Sequence, residues 1–342
     1  MDFSYTEEQQ MLQESVQKFV QKNYEFATRA KIIASENGYS NENWELFAEL
    51  GWLTVPFCEE DGGFGGSAVD LTVMMDEFGK ANLVEPFTPT AILGGGLVSA
   101  LGEKGQKTEL LGPLMEGKLQ LACAYAETGS RFNLSNVTTT ATVEGDQVKL
   151  NGEKINVLNG SNADKLLLVA RESGAQTDRN GISIFLVDND SDGLSIQPYT
   201  NVDGKKAAQI SFASVSVPLS ARLGEAGGAL PALEAVIDRA TVAVSAEAVG
   251  ALEALLQKTV EYSKTRKQFG TPIGTFQALQ HRMADMFIEC QLARSIVIMA
   301  AMKLDSTEND VEKSKAVSAA KSRVGKAIEK VGQEAIQIHG GI

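Results

Sequence analysis

The chain has 342 residues, 43% of them hydrophobic and 22% charged, enough to bury a large core spread over two or three structural units. Its formal net charge of −13 excludes a nucleic-acid partner, which needs clustered Lys and Arg, and argues against docking on an anionic membrane surface. Three widely separated cysteines, Cys58, Cys123 and Cys290, form no disulfide framework and no CxxC metal site, so free thiols in a reducing compartment are expected.

The opening residues carry neither an apolar signal core nor an Arg-rich transit pattern, and no apolar run approaches the roughly 20 residues needed to span a bilayer. A cytoplasmic protein without membrane insertion is the expectation. Thr6, with Gln9 three positions on, has the form of a capping box, and Met11, Leu12, Val16, Phe19 and Val20 follow at helical spacing. Trp44, Leu46, Phe47 and Leu50 predict another helix, stopped at Gly51. Beyond the glycine-rich loop Asp61-Gly62-Gly63-Phe64-Gly65-Gly66, further helices are predicted at 74–78, 91–101 and 107–115. In that loop Glu59 and Glu60 read as solvated carboxylates rather than a catalytic pair.

Near Leu119 the pattern changes to short segments rich in Val, Ile, Leu and Thr, broken by turn residues. Gly145-Asp146 suits a hairpin, and Asn151-Gly152 is the strongest turn signal in the chain. Strands are expected at 165–170, 182–187 and 209–212, with turns at Asp192-Gly193 and Asp203-Gly204. Helical periodicity returns for three long segments, 230–264, 275–304 and 311–337. The resulting fold class is α+β: a helical N-terminal domain (1–117), a central antiparallel β barrel or sandwich (118–222) and a C-terminal helical bundle (223–342).

That order, with several local motifs, resembles the acyl-CoA dehydrogenase family along essentially the whole chain. The motifs are Phe3-Ser4-Tyr5-Thr6-Glu7-Glu8-Gln9, the Pro56 to Gly66 loop, and Asn151-Gly152-Glu153-Lys154 followed by Asn159-Gly160. Thr265-Arg266-Lys267-Gln268-Phe269-Gly270, Phe276-Gln277-Ala278-Leu279-Gln280 and Gln337-Ile338-His339-Gly340-Gly341 complete the set. The stretches Ala246 to Ala251 and Arg282 to Phe287 look most similar to small subunits of two-subunit members such as pimeloyl-CoA dehydrogenase.

The resemblance implies FAD as cofactor, an acyl-CoA substrate oxidised to an α,β double bond, and electron-transfer flavoprotein as electron acceptor. It assigns FAD contacts to Arg266, Gln268, Phe269, Gln277, Gln337, Gly340 and Gly341, which in the family reach the dinucleotide held mainly by a neighbouring subunit. An arginine fork suits a diphosphate, although the helix dipole alone would also favour an arginine there. The two glycines permit close backbone approach, and they equally suit a plain helix C-cap.

The flavin-ring side departs from the family. Ala126 stands in place of a threonine, Phe132-Asn133 in place of Ser-Asp, and Asn156 and Leu158 in place of tryptophan and threonine. One family position for the catalytic base falls near Ala240 or Thr241, neither a carboxylate, and the commoner one falls beyond Ile342. The last family helices are therefore expected to be missing. A second acyl-CoA dehydrogenase subunit is accordingly expected to hold the flavin ring and the base. A self-sufficient homotetramer and a catalytically silent scaffold are the alternatives.

Overall fold

The computed structural model describes residues 5–341, so Phe3 and Ser4 of the N-terminal motif, and Ile342, lie outside the described residues. Two compact units are present, and each takes several pieces of the chain: Met1–Arg29, Ser67–Leu83 and Thr241–Ile342 in the first, Ala30–Gly66 and Val84–Ala240 in the second.

The first unit is helical. Helix α1 (Glu7–Asn23) starts on the expected capping box, with the Thr6 hydroxyl accepting from the Gln9 N–H and the Gln9 side chain accepting from the Thr6 N–H. Four more helices come from this part of the sequence or from the second unit's opening segment: α2 (Phe26–Ala34), α3 (Asn41–Glu49), α4 (Ala68–Ala81) and, later, α5 (Gly96–Leu101). Helix α2 was not expected from its sequence pattern, and it buries no residue, which is why no apolar stripe announces it. In the first unit α4 packs on α1 and on α8 (Gln277–Leu304), α8 packs on α9 (Asp310–Ile338), and the end of α7 (Leu230–Thr265) belongs to the same unit. Two glycines bring α4 and α7 into backbone contact. A Cβ on Gly79 would sit 1.7 Å from the Glu247 carbonyl oxygen, and one on Gly250 would sit 1.8 Å from that of Asp76. Arg294 of α8 then pairs with Asp76 of α4 (3.0 Å) and Glu253 of α7 (2.8 Å) beside that crossing.

In the second unit α3 ends where expected, Gly51 taking φ +74° just past the helix. A buried π-helical turn, Thr88–Gly95, runs into α5, and α6 (Lys104–Met115) follows. The sheet is built from β1 (Leu121–Ala124), β2 (Thr140–Glu144), β3 (Gln147–Leu158), β4 (Lys165–Arg171), β5 (Ile182–Asp188), β6 (Leu194–Thr200), β7 (Lys206–Pro218) and β8 (Arg222–Leu223). Its order is β6-β7-β3-β2-β4-β5-β8 with β1 also on β4; the pairings are antiparallel except β1–β4 and β2–β4. Its inner face closes over one core that includes Leu150, Val157, Leu166, Leu168, Phe185, Ile210 and Val215. Among the described residues no helix is long and apolar enough to cross a membrane.

One turn expectation is corrected. Gly145-Asp146 makes the tight β2–β3 hairpin, but β3 runs straight through Asn151-Gly152. A register shift against β7 between Leu150 and Gly152 marks a bulge there, and the Asn151 side-chain oxygen accepts from the Ser214 N–H at 2.8 Å. Strand β3 is paired on both edges, so the Asn-Gly pair is absorbed as a bulge rather than ending the strand. A Cβ at residue 152 would lie 2.6 Å from the Thr139 hydroxyl, which explains the glycine.

Candidate cofactor site

All seven residues assigned to FAD by the resemblance lie in the first unit, and the structure gathers them at one end of its helices. Helix α7 ends at Thr265, and the chain turns through a two-residue-per-strand hairpin, Lys267-Gln268 against Thr271-Pro272. Phe269 and Gly270 form its tip, with φ +55° and +84°. Phe269 is 93% exposed and meets Phe276 edge-on at 6.2 Å. The left-handed backbone is ordinary for Gly270 but strained for an aromatic residue, so the tip holds its shape at some cost. The Ile273 N–H donates to the Arg266 carbonyl at 2.9 Å, fixing the base of the hairpin, while the Arg266 side chain is exposed and meets no partner among the described residues.

Gln277 opens α8, and its exposed side chain stands where that helix begins. At the end of α9 the Gly341 N–H donates to Ile336 (2.8 Å) and the Gly340 N–H to Gln337 (3.1 Å), the two bonds of a Schellman motif. Both glycines have positive φ, and a Cβ on either would meet nothing within 4 Å, so their backbone faces open space. The His339 ring stacks on Tyr262 of α7 at 4.4 Å and reaches its own helix through the Ala335 carbonyl, which makes it a packing residue. That stack ties the end of α9 to the last turn of α7, so Arg266, Gln268, Gln277 and Gln337 share one exposed end.

Ala126, Asn156 and Leu158, which depart from the family, lie in the second unit, where the backbone beside Ala126 meets the stretch of β3 that carries the other two. The Ile155 N–H donates to the Ala126 carbonyl at 2.9 Å, which lays the segment after β1 along the end of β3. There Asn156 adopts φ +50° at a second register shift. Val157 enters the core, so Leu158 faces the other side of the sheet. Leu158 pairs with Ala207 and Ala207 with Tyr199, and the Tyr199 hydroxyl donates to the Asn156 side-chain oxygen at 3.4 Å. Tyr199 was missed in the sequence because Pro198 interrupts the Leu194-Ile196 alternation that would have marked β6.

The frame beneath this face is polar and buried. Lys154, 0% exposed, pairs with Glu127 at 2.6 Å, and Glu127 also accepts from the Thr138 and Thr139 N–H groups at 2.7 and 3.0 Å. Burial works against ionising Glu127, but the Lys154 ammonium and the threonine donors overcome it and hold the carboxyl down at about 2. Burial likewise lowers Lys154, with Glu127 opposing. Arg171 spends its guanidinium on six carbonyls, those of Ser135, Val137, Ser173, Gln176, Asp178 and Asn180, and so clamps two loops to β4. A lone lysine at a core position of an alternating strand was the available signal for the pair. Phe132 is almost fully exposed, and Ala240 on α7 is buried and carries no acid–base group.

These observations test the fit of a flavin dinucleotide. The exposed guanidinium, the three amide side chains and the open glycine backbone suit its diphosphate half. The β3 face offers a methyl at Ala126 and an isobutyl group at Leu158, and neither can donate a hydrogen bond to a flavin ring.

The comparisons cover the chain from end to end. Residues 6–118 match the acyl-CoA dehydrogenase N-terminal domain, residues 122–215 the middle domain and residues 227–342 the C-terminal domain. The chain is 32% identical to the probable acyl-CoA dehydrogenase YngJ of Bacillus subtilis, across 100% of this chain and 90% of that protein. It is 28% identical to the caffeyl-CoA reductase-Etf complex subunit CarC of Acetobacterium woodii, across 98% of this chain and 89% of that one. Butyryl-CoA dehydrogenase from Megasphaera elsdenii has the same fold, with a TM-score of 0.90 at 28% identity over 100% of this chain and 90% of that one. With all three domains matched in order on this architecture, the chain belongs to the acyl-CoA dehydrogenase family of FAD-dependent oxidoreductases.

Proposed function

We propose that the chain is one subunit of a two-subunit acyl-CoA dehydrogenase, in which it clamps the adenosine diphosphate half of an FAD whose ring is held by the partner. Bound flavin supplies the hydride acceptor for forming an α,β double bond in a CoA thioester. In this reading Arg266 pairs with the diphosphate, Gln277 and Gln337 donate beside it, and Gly340 and Gly341 admit the cofactor to the backbone. Gln268 and Phe269 form the hairpin wall. The observation that carries the reading is the contrast between two surfaces. At the bundle end the Arg266, Gln277 and Gln337 side chains are exposed, while the β3 face lacks two side-chain donors and α7 lacks a carboxylate at Ala240 and Thr241. The partner would be a second acyl-CoA dehydrogenase subunit, and the substrate an acyl-CoA. Electron-transfer flavoprotein is the expected acceptor, supported by the similarity to a subunit named for its Etf complex.

The test is anaerobic mixing of the purified chain with FAD and a panel of CoA thioesters, alone and with the partner subunit. Preorganised donors are each worth about 10²–10³ in rate, so the two missing donors cost the lone chain about 10⁴ or more. Bleaching of the flavin band is expected only after the partner is added. Bleaching by the lone chain would establish a self-sufficient enzyme instead.

A further inference from the structure

We propose that an apolar groove on α8 is the docking site of the residues ahead of Tyr5, Met1 to Ser4, with the Phe3 ring as the group that fills it. These four residues lie outside the described residues, and the inference rests on the groove, on their composition and on their reach. The groove belongs to the first unit and encloses about 580 Å³ along the C-terminal part of α8. Ile298, Met299 and Met302 give it an apolar wall, and each methionine is 38% exposed.

The polar groups of the lining are already spent within the unit. Arg294 pairs with Asp76 and Glu253, and Lys303 pairs with Glu308. The Ser295 hydroxyl donates to the Gln291 carbonyl at 2.8 Å and that of Ser306 to the Lys303 carbonyl at 2.7 Å. A charged occupant would have to break one of these pairs, whereas an apolar one only removes the methionines from water. The groove therefore selects an uncharged, apolar group, which the unbranched thioether side chains can close around.

Tyr5 fixes where the chain enters. It lines a gap of about 10 Å³ together with Arg294 and Ile298, and both of those residues line the groove as well. Thr6 is extended (φ −66°, ψ 165°), so the backbone leaves α1 away from helical geometry. Met1-Asp2-Phe3-Ser4-Tyr5 alternates apolar and polar residues, and an extended run would carry Met1, Phe3 and Tyr5 on one side with Asp2 and Ser4 on the other. The side that Tyr5 turns is the side of α8. Phe3 stands two residues away, about 7 Å of extended backbone, and the whole segment spans at most about 14 Å, so the groove bordering Tyr5 is within its reach.

Methionine labelled with ¹³C at its methyl group reports from the groove in the whole protein. The chain has nine methionines, and Met299→Leu and Met302→Leu assign the two resonances concerned. Phe3→Leu keeps the segment apolar but removes the ring current. Both resonances are expected to move in that variant, while that of Met115, in the second unit, stays in place. Phe3→Asp should open the groove, so that a neutral nitroxide in solution broadens both methyls more than in the wild type and closer to Met11, which is 72% exposed. Phe3→Leu carries the test if Phe3→Asp fails to fold. Unmoved resonances in Phe3→Leu, or equal broadening in Phe3→Asp and the wild type, overturn the proposal. Protection that grows with protein concentration also overturns it, giving the groove to a second copy, as does protection that arrives only with another subunit.

Discussion

The end of the first unit that carries Arg266 and the β3 face of the second unit differ in what surrounds their ligand-facing positions. At the bundle end the fold does little more than present side chains: Arg266, Gln277 and Gln337 are exposed, and nothing buried depends on them. At the β3 face a costly frame stands intact, with Glu127–Lys154 buried and Arg171 clamped on six carbonyls, yet the two residues it presents, Ala126 and Leu158, have no donor to offer. The frame matters to folding in its own right, since a half-paired buried charge would cost the sheet about 3–5 kcal/mol, whereas an alanine in place of a threonine on its surface leaves the fold untouched. A preserved scaffold is thus evidence of folding, and only the presented groups are evidence of chemistry.

The sharpest way to test that separation is to damage the frame where it is tightest. Gly250→Ala drives a methyl into the Asp76 carbonyl oxygen, 1.8 Å from the ideal Cβ, and backbone cannot yield without parting α4 from α7. A loss of about 4 kcal/mol or more is expected, read as a collapse of soluble yield and of Tm. Gly332→Ala is the control: it lies in α9 with nothing within 4 Å, and it should stabilise by about 0.4–1 kcal/mol through lower chain entropy in the unfolded state. Equal tolerance of both would break the account of the crossing.

Next in size is the buried pair. Lys154→Met leaves Glu127 charged and buried, and removal of one partner of such a pair costs about 3–5 kcal/mol. Adding Glu127→Gln should return part of that loss. The pH dependence has a definite sign. Glu127 falls from an ordinary 4.5 to about 2 on folding, so between those values the unfolded chain binds more protons. Its stabilisation is complete above about pH 4.5 and is lost as the pH falls towards 2. Urea midpoints measured across that window should slope upward with pH in the wild type, and more weakly in Glu127→Gln.

The same separation explains what was legible in the sequence. Apolar stripes, the Thr6 capping box and the Gly51 stop are local signals, and they placed the long helices to within a few residues. Helix α2 escaped because it has no buried face. Asn151-Gly152 misled because a turn dipeptide is a preference of an isolated segment, and pairing of β3 with both β2 and β7 outweighs it. The motif residues around Arg266 could be read in order along the chain, but their meeting at one end depends on the Tyr262–His339 stack, which no local pattern announces. The Tyr199–Asn156 contact was invisible for a similar reason, since it joins β6 to β3 across β7.

The smallest expected effect on the fold is also the most direct probe of the bundle end. Arg266 is exposed, and its side chain bonds to nothing among the described residues, so Arg266→Ala should shift stability by no more than about 0.5 kcal/mol. If the guanidinium grips a diphosphate in the two-subunit complex, its loss removes charge-assisted hydrogen bonds worth about 1.5–3 kcal/mol, and FAD affinity should fall about 10- to 100-fold. Arg266→Lys separates charge from geometry: it keeps the positive charge but loses the planar fork, so an intermediate affinity is expected. The measurement is flavin retained by the purified complex after extensive dialysis, with Tm recorded on the same samples. A fall in flavin at constant Tm places Arg266 on the cofactor. A fall in both would make it a structural residue whose partner is another subunit, and unchanged flavin would favour a scaffold that never touches FAD.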